Sequence, residues 1–164
     1  MTSVSGVTVR EERYPDGKLR GSWSAGRGSN GAIVFDGAQR WLYPDGRPQW
    51  EVRFRLGRKI GLEKEYDAAG RLSAQYRYNI SASNWAFPTV FSYDGISRLA
   101  SYSHSFQNSA ANVTMSFAYN PASQITTRAR DNDDYRFTGY VDVGRSYARN
   151  GLDQYTSAGR AAFL

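Results

Sequence analysis

The chain has no cysteine, one histidine and two methionines in 164 residues. Without thiols, disulfides and thiolate metal sites are excluded, although the compartment is not fixed by that. A lone histidine leaves a zinc site or a Ser-His-Asp triad without its parts. Long apolar runs are missing too. Nothing approaches the ~18 residues of a membrane-spanning helix. The opening MTSVSGVTVREERY lacks the roughly 7–15-residue apolar stretch of a signal peptide, so none is expected. Aliphatic residues are few: Leu, Ile, Val and Phe account for 30 of 164 residues. With a net charge of +6, that composition alone would point to disorder. The 12 Tyr and 4 Trp point the other way. A buried aromatic side chain removes roughly 150–250 Å² from water, so an aromatic core can replace an aliphatic one.

The sequence pI near 9.7 raises the question of nucleic acid. The 21 Lys and Arg are scattered singly between aromatics and turns, which reads as solvated sheet faces; no nucleic-acid partner is expected.

What is present is a repeat. Tyr14, Tyr43, Tyr66, Tyr93, Tyr119 and Tyr147 each open a turn-like stretch, at separations of 29, 23, 27, 26 and 28 residues. The stretches read YPDGKL, YPDGRP, YDAAGRL, YDGISRL, YNPASQI and YARNGL. In the first two, Pro15 and Pro44 preset φ, Asp16 and Asp45 bond to nearby backbone, and Gly17 and Gly46 can take φ > 0. This predicts a hairpin with a type I turn and a glycine bulge. Asp67 with Gly70, Asp94, Asn120, and Asn150 with Gly151 supply the same turn chemistry later in the chain. Further DG or NG signals stand at Asn30-Gly31, Asp36-Gly37, Asp94-Gly95 and Asn150-Gly151.

Between turns the period is two. QWEVRFRL puts Trp50, Val52, Phe54 and Leu56 on one face and Glu51, Arg53 and Arg55 on the other. LSAQYRY groups Leu72, Ala74, Tyr76 and Tyr78, and NVTMSFAY groups Val113, Met115, Phe117 and Tyr119. No window has a 3.6 period. The expected fold is all-β: about 12–14 short strands in an array of antiparallel hairpin repeats, forming a twisted, extended or partly curled sheet. Each Tyr is expected to end a strand on the buried side and cover its turn. The basic residue after the turn is expected on the wet face.

Two compositions share the array. All five Glu and all three Lys lie before residue 79. The seam, NISASNWAFP, is either a domain boundary or a long inter-hairpin loop. The Tyr period crosses it, which favours one continuous sheet over residues 1–78 and 79–164.

The motifs YDAAGRL, YNPASQITTRAR and RSYARNGLDQYTSAG resemble the YD repeats of Rhs proteins, teneurins and toxin-complex shells, over roughly residues 62–160. Residues 10–65, with YPDGKLRGSW and FRLGRKIGLEKEY (Gly57 and Gly61 before a Tyr-bearing strand), resemble MORN-variant repeats. Both are β-hairpin repeats. The YD resemblance implies a secreted or cell-surface structural module, part of a shell that encloses a toxin or of an extracellular scaffold. Its implied partners are further YD repeats or a toxin domain of a longer parent protein. The stretch is expected to be truncated at its C-terminus. The strand around LDQYTSAG is therefore expected to leave an unpaired edge through which the protein self-associates.

Candidate chemistry is thin, and no cofactor, metal or catalytic residue is expected. His104, in SYSHSF, reads as a core or edge histidine. DNDDY (Asp131, Asp133, Asp134) resembles the start of a calcium loop, but Arg136 stands where that loop needs Gly. It reads as a solvated hairpin tip. Asn79 and Asn112 are glycosylation acceptors in form only. Two readings remain: a non-catalytic structural repeat module, or a binding module whose sheet recognises a partner protein, antitoxin-like, or a polysaccharide.

Overall fold

The computed structural model describes residues 3–78, 87–135, 139, 143–144, 147–152, 155–158 and 162–163. Asn79, Arg136 and part of the LDQYTSAG strand lie outside them. Among the described residues the fold is all-β. Ten strands form one antiparallel sheet in chain order: β1 (Val4–Arg13), β2 (Leu19–Gly28), β3 (Ile33–Leu42), β4 (Pro48–Arg55), β5 (Arg58–Tyr66), β6 (Leu72–Tyr78), β7 (Phe87–Tyr93), β8 (Leu99–His104), β9 (Val113–Tyr119) and β10 (Ile125–Arg130). The sheet is open, with β1 and β10 as its edges. β6 pairs with β7 from Ala74↔Val90 to Arg77↔Phe87, so the sheet is continuous across the compositional seam.

The chain divides into two compact units, residues 1–132 and 133–164. The second holds a 3₁₀ turn at Asp133–Tyr135 and two short pairings. β11 (Val143–Gly144) pairs with β14 (Ala162–Phe163), and β12 (Tyr147–Arg149) with β13 (Tyr155–Ala158).

Directly opposed residues in an antiparallel pair share a face, so the register assigns the faces of the large sheet. Trp23, Gln39, Trp41, Trp50 and Val52 share one, called here the front. Glu65, Glu63, Ala74 and Tyr76 continue it. Arg40, Glu51, Arg53 and Lys64 lie on the back. Val52 is buried, Trp50 and Phe54 are half-buried, and Arg53 and Arg55 are exposed. Leu56 is not on this face. It forms a two-residue turn with Gly57, both at positive φ (51° and 79°), as the strand twist prefers in the shortest hairpins.

Beyond β6 the packed face changes sides. Thr89, Phe91, Tyr102, His104, Met115 and Phe117 lie on the back. Thr89 and Met115 are buried there. The front of the same strands is Val90, Ser92, Ser101, Ser103, Thr114 and Ser116. Its hydroxyls pair across strands, Ser92 with Ser101 at 2.7 Å and Ser103 with Thr114 at 3.1 Å.

Candidate functional site

Five turns at one end of the sheet, joining β1–β2, β3–β4, β5–β6, β7–β8 and β9–β10, are built to one plan. Their first residues are Tyr14, Tyr43, Asp67, Asp94 and Asn120. In each, the N–H of the fourth residue donates to the C=O of the first, at 2.8–3.0 Å. The N–H of the first donates to the C=O of the fifth, also at 2.8–3.0 Å. The fourth residues, Gly17, Gly46, Gly70, Ser97 and Ser123, all have positive φ. Each turn is followed by a bulge one strand residue later. This is a type I turn with a left-handed residue and a bulge.

The tyrosines do not hold one place in this plan. Tyr14 and Tyr43 are the first turn residue, whereas Tyr66, Tyr93 and Tyr119 immediately precede it. One residue reverses the face on which a strand side chain lies. Tyr14 and Tyr43 continue the front-facing series of Trp41; Tyr93 and Tyr119 continue the back-facing series of Phe91 and Phe117. The carboxylate slides with them. In the first two turns Asp16 and Asp45 occupy the third place, and in the next two Asp67 and Asp94 occupy the first. In every case its oxygen, or that of Asn120, accepts the N–H of the fifth residue, at 2.9–3.1 Å. That bond, led by the N–H of Arg71, holds the Asp67 carboxyl below the usual carboxylate range.

The phenols answer why a tyrosine recurs. They reach the backbone of a neighbouring hairpin. Tyr14 donates to Leu42 C=O and Tyr43 to Tyr66 C=O, both forward in the chain at 2.8 Å. Tyr93 donates to Leu72 C=O and Tyr119 to Leu99 C=O, both backward at 2.8 Å. The β5–β6 hairpin therefore accepts from both sides. Tyr66 itself donates to the Glu51 carboxylate at 3.2 Å.

The basic residues after the turns were expected on the wet face, and two of them are not there. Arg71 bonds Asp67 through Nε at 2.7 Å and lies 4.7 Å over the Tyr93 ring, with Nη1 donating to Ser97 Oγ at 3.1 Å. Arg98 repeats this one hairpin on: Asp94 at 2.6 Å, the Tyr119 ring at 4.5 Å and Asn120 C=O at 3.1 Å. A planar guanidinium suits both the carboxylate and the ring face.

Three sequence signals fall elsewhere. Asp36-Gly37 is a bulge inside β3, with Gly37 at φ 120°, and not a hairpin. In Asp94-Gly95 the positive φ belongs to Ser97, so Gly95 is not the left-handed residue. Tyr147 does not open a turn. It pairs with Ala158, and the turn lies at Asn150-Gly151, where Asn150 Oδ1 accepts the Leu152 N–H at 2.9 Å. Asn30-Gly31 does form a hairpin turn, between β2 and β3, with Gly31 N–H donating to Gly28 C=O at 2.9 Å.

One polar cluster was not foreseen. Glu63 is 4% exposed on the front face. It accepts from Trp50 Nε1 at 2.5 Å, from Lys59 Nζ at 2.7 and 2.8 Å, and from Tyr78 Oη at 2.6 Å. Lys59 also lies 5.5 Å over the Trp50 ring and 5.3 Å over that of Tyr78. Burial opposes ionisation of Glu63, but the donors from Lys59, Tyr78 and Trp50 outweigh it and hold the carboxyl below its ordinary value. Burial, reinforced by Glu63, pushes the Tyr78 phenol well up. The signal was inverted alternation in RKIGLEKEY, which turns Lys59 and Glu63 inward and leaves Leu62 40% exposed.

His104 is half-buried and its Nδ1 lies 2.8 Å from Thr89 Oγ1. Asp131 uses its carboxylate to accept the Thr114 N–H at 2.7 Å. Among the described residues no group of three His, Cys, Asp or Glu could hold a metal ion, and no helix is long and apolar enough to cross a membrane. Comparison with protein-family models gives no match, and comparison with curated proteins gives none either.

Proposed function

We propose that the chain is a non-catalytic structural repeat module, a section of β-sheet wall in a shell or surface scaffold of the Rhs/YD type that encloses or presents a toxin. The observation that supports this is the phenol link between consecutive hairpins. The β3–β4, β5–β6 and β7–β8 hairpins each supply a turn and an acceptor carbonyl for a neighbour, so the same bond can join a further unit at either flank, as stacked repeat proteins require. The test is to express the chain together with the reading frame that continues from it, and to treat the product with protease. A wall predicts a β-rich assembly that co-purifies with, and protects, its adjoining segment. Free cleavage of that segment, with the chain a monomer of its own, overturns the reading.

A binding module is favoured by a different observation: among the described residues no large side chain is fully buried. A groove of about 430 Å³ beside the β3–β4 and β5–β6 turns is lined by Trp41, Tyr43, Gln49, Trp50, Glu65, Tyr66 and Ser73. Aromatic rings beside amide, carboxylate and hydroxyl groups suit a polysaccharide. Titration with soluble glucans and β-linked amino-sugar polymers, read by tryptophan fluorescence, tests it; an unchanged spectrum with every polymer removes this reading.

A further inference from the structure

We propose that a cleft on the back face of β6–β8 binds a small aromatic carboxylate. The cleft has a volume of about 230 Å³ and includes Gln75, Arg77, Phe87, Thr89, His104 and Phe106 in its lining. The register brings these residues together: Gln75 opposes Thr89, Arg77 opposes Phe87, and Thr89 in turn opposes His104.

Each wall has a distinct chemistry. The Phe87 and Phe106 rings stand 6.2 Å apart at 42°, and they are 40% and 41% exposed. Rings at that separation pack on each other, and together they form an apolar wall open to solvent. The Arg77 guanidinium and the Gln75 amide have no hydrogen-bond or ion-pair partner among the described residues, in contrast to Arg71 and Arg98, which are each held by an aspartate. Among the described residues no acidic side chain lines the cleft. Thr89, 6% exposed, fixes the imidazole through Nδ1 at 2.8 Å and leaves Nε2 as the ring nitrogen without a partner among the described residues. His104 also packs on Tyr102 at 5.2 Å, so its orientation is set from two sides.

A guanidinium presents a planar fork of donors that matches a carboxylate, and the two-donor pairing adds direction to charge. An apolar cavity of roughly 150 Å³ already accepts a benzene ring. The larger cleft has room for a ring with a carboxylate attached. The ring lies against the exposed Phe87–Phe106 pair, and the carboxylate meets Arg77 and Gln75. The cleft shares no lining residue with the groove of the binding-module reading and does not depend on either functional proposal.

The experiment uses the full chain and three probes, benzoate, phenylacetate and the neutral isostere benzamide, followed by calorimetry and by amide chemical shifts. Benzoate or phenylacetate is expected to bind at least tenfold more tightly than benzamide, with shifts concentrated in β6–β8. Arg77→Gln, which keeps an amide of similar length, should abolish that preference, and Arg77→Lys should restore part of it. Phe106→Ala should weaken all three probes together. Circular dichroism establishes that each variant is folded; should Phe106→Ala fail to fold, Arg77→Gln, on an exposed side chain, decides alone. Equal binding of benzamide and benzoate, an unchanged preference in Arg77→Gln, or no binding by any probe overturns the proposal.

Discussion

The front-packed region, β1–β6, and the back-packed region, β7–β10, use the same turn and opposite faces. In the first, a tyrosine is the first turn residue and its phenol reaches forward. In the second, it precedes the turn and its phenol reaches back. A displacement of one residue within an unchanged turn therefore decides which side of a sheet becomes its interior. The β5–β6 hairpin joins the two: its turn is of the second kind, with Tyr66 turned back toward Glu51, while its body carries Glu63 and Ala74 on the front.

The comparison is broken most severely at Glu63. Glu63→Ala leaves Lys59, Trp50 and Tyr78 without their acceptor; Lys59 reaches solvent, and leaving part-buried donors unsatisfied costs about 1–3 kcal/mol. Urea denaturation measures the loss. Hydrogen exchange then reveals whether β3–β6 loses protection before β8–β9; equal loss in both regions would make them one cooperative unit.

The same residue gives a pH dependence. Its folded-state pKa is depressed, so its stabilisation is present above the unfolded value, about 4.3, and is lost as pH falls through the lower folded value. The urea midpoint should decline on acidification over that window, and Glu63→Gln should flatten the decline. Parallel curves for the two proteins would show that the cluster does not control acid stability.

Smaller effects come from the turns. Gly46 has φ 88°, and a Cβ there meets no neighbour, so Gly46→Ala isolates backbone strain of about 1–2 kcal/mol. Gly95 also has open space around it but lacks the positive φ. Gly95→Ala should instead stabilise by about 0.4–1 kcal/mol through the unfolded chain. Thermal melts of the pair compare the glycine of one turn class with that of the other; matched destabilisation would refute the assignment of Ser97 as the left-handed residue.

The phenols have effects of similar size. Tyr43→Phe and Tyr93→Phe should each cost about 1 kcal/mol, the usual net worth of one hydrogen bond. The exchange consequence should differ: amides near Tyr66 should weaken in the first and amides near Leu72 in the second. Identical exchange maps would mean that the direction of the link has no energetic content.

Much of this architecture was legible in the chain. The two-residue period gave the strands, and YPDG and YDAAG gave the turns, because proline, aspartate and glycine act locally. The face change was not legible, since aligning the repeats on tyrosine hides a one-residue shift in where the turn begins. The same alignment misplaced Tyr147, whose turn starts at Asn150. Glu63 escaped because hydrophobic alternation assigns charged strand residues to solvent, and only Trp50 and Tyr78 from the neighbouring strands, with Lys59 four residues earlier on its own strand, make its burial tolerable. Arg71 and Arg98 escaped for a related reason: their aromatic partners belong to the next hairpin, more than twenty residues away.

The chain-order topology has a consequence for assembly in time. Each strand of the large sheet pairs only with its sequence neighbours, so every hairpin can dock as soon as its second strand is synthesised, without waiting for a distant segment. Growth of this kind resembles a zip fastener, and loosening proceeds from the two edges inward. The teeth on either flank engage toward β5–β6, through the carbonyls of Tyr66 and Leu72. That hairpin is the one whose release would let both flanks go, and the natural place for the last protected amides to persist.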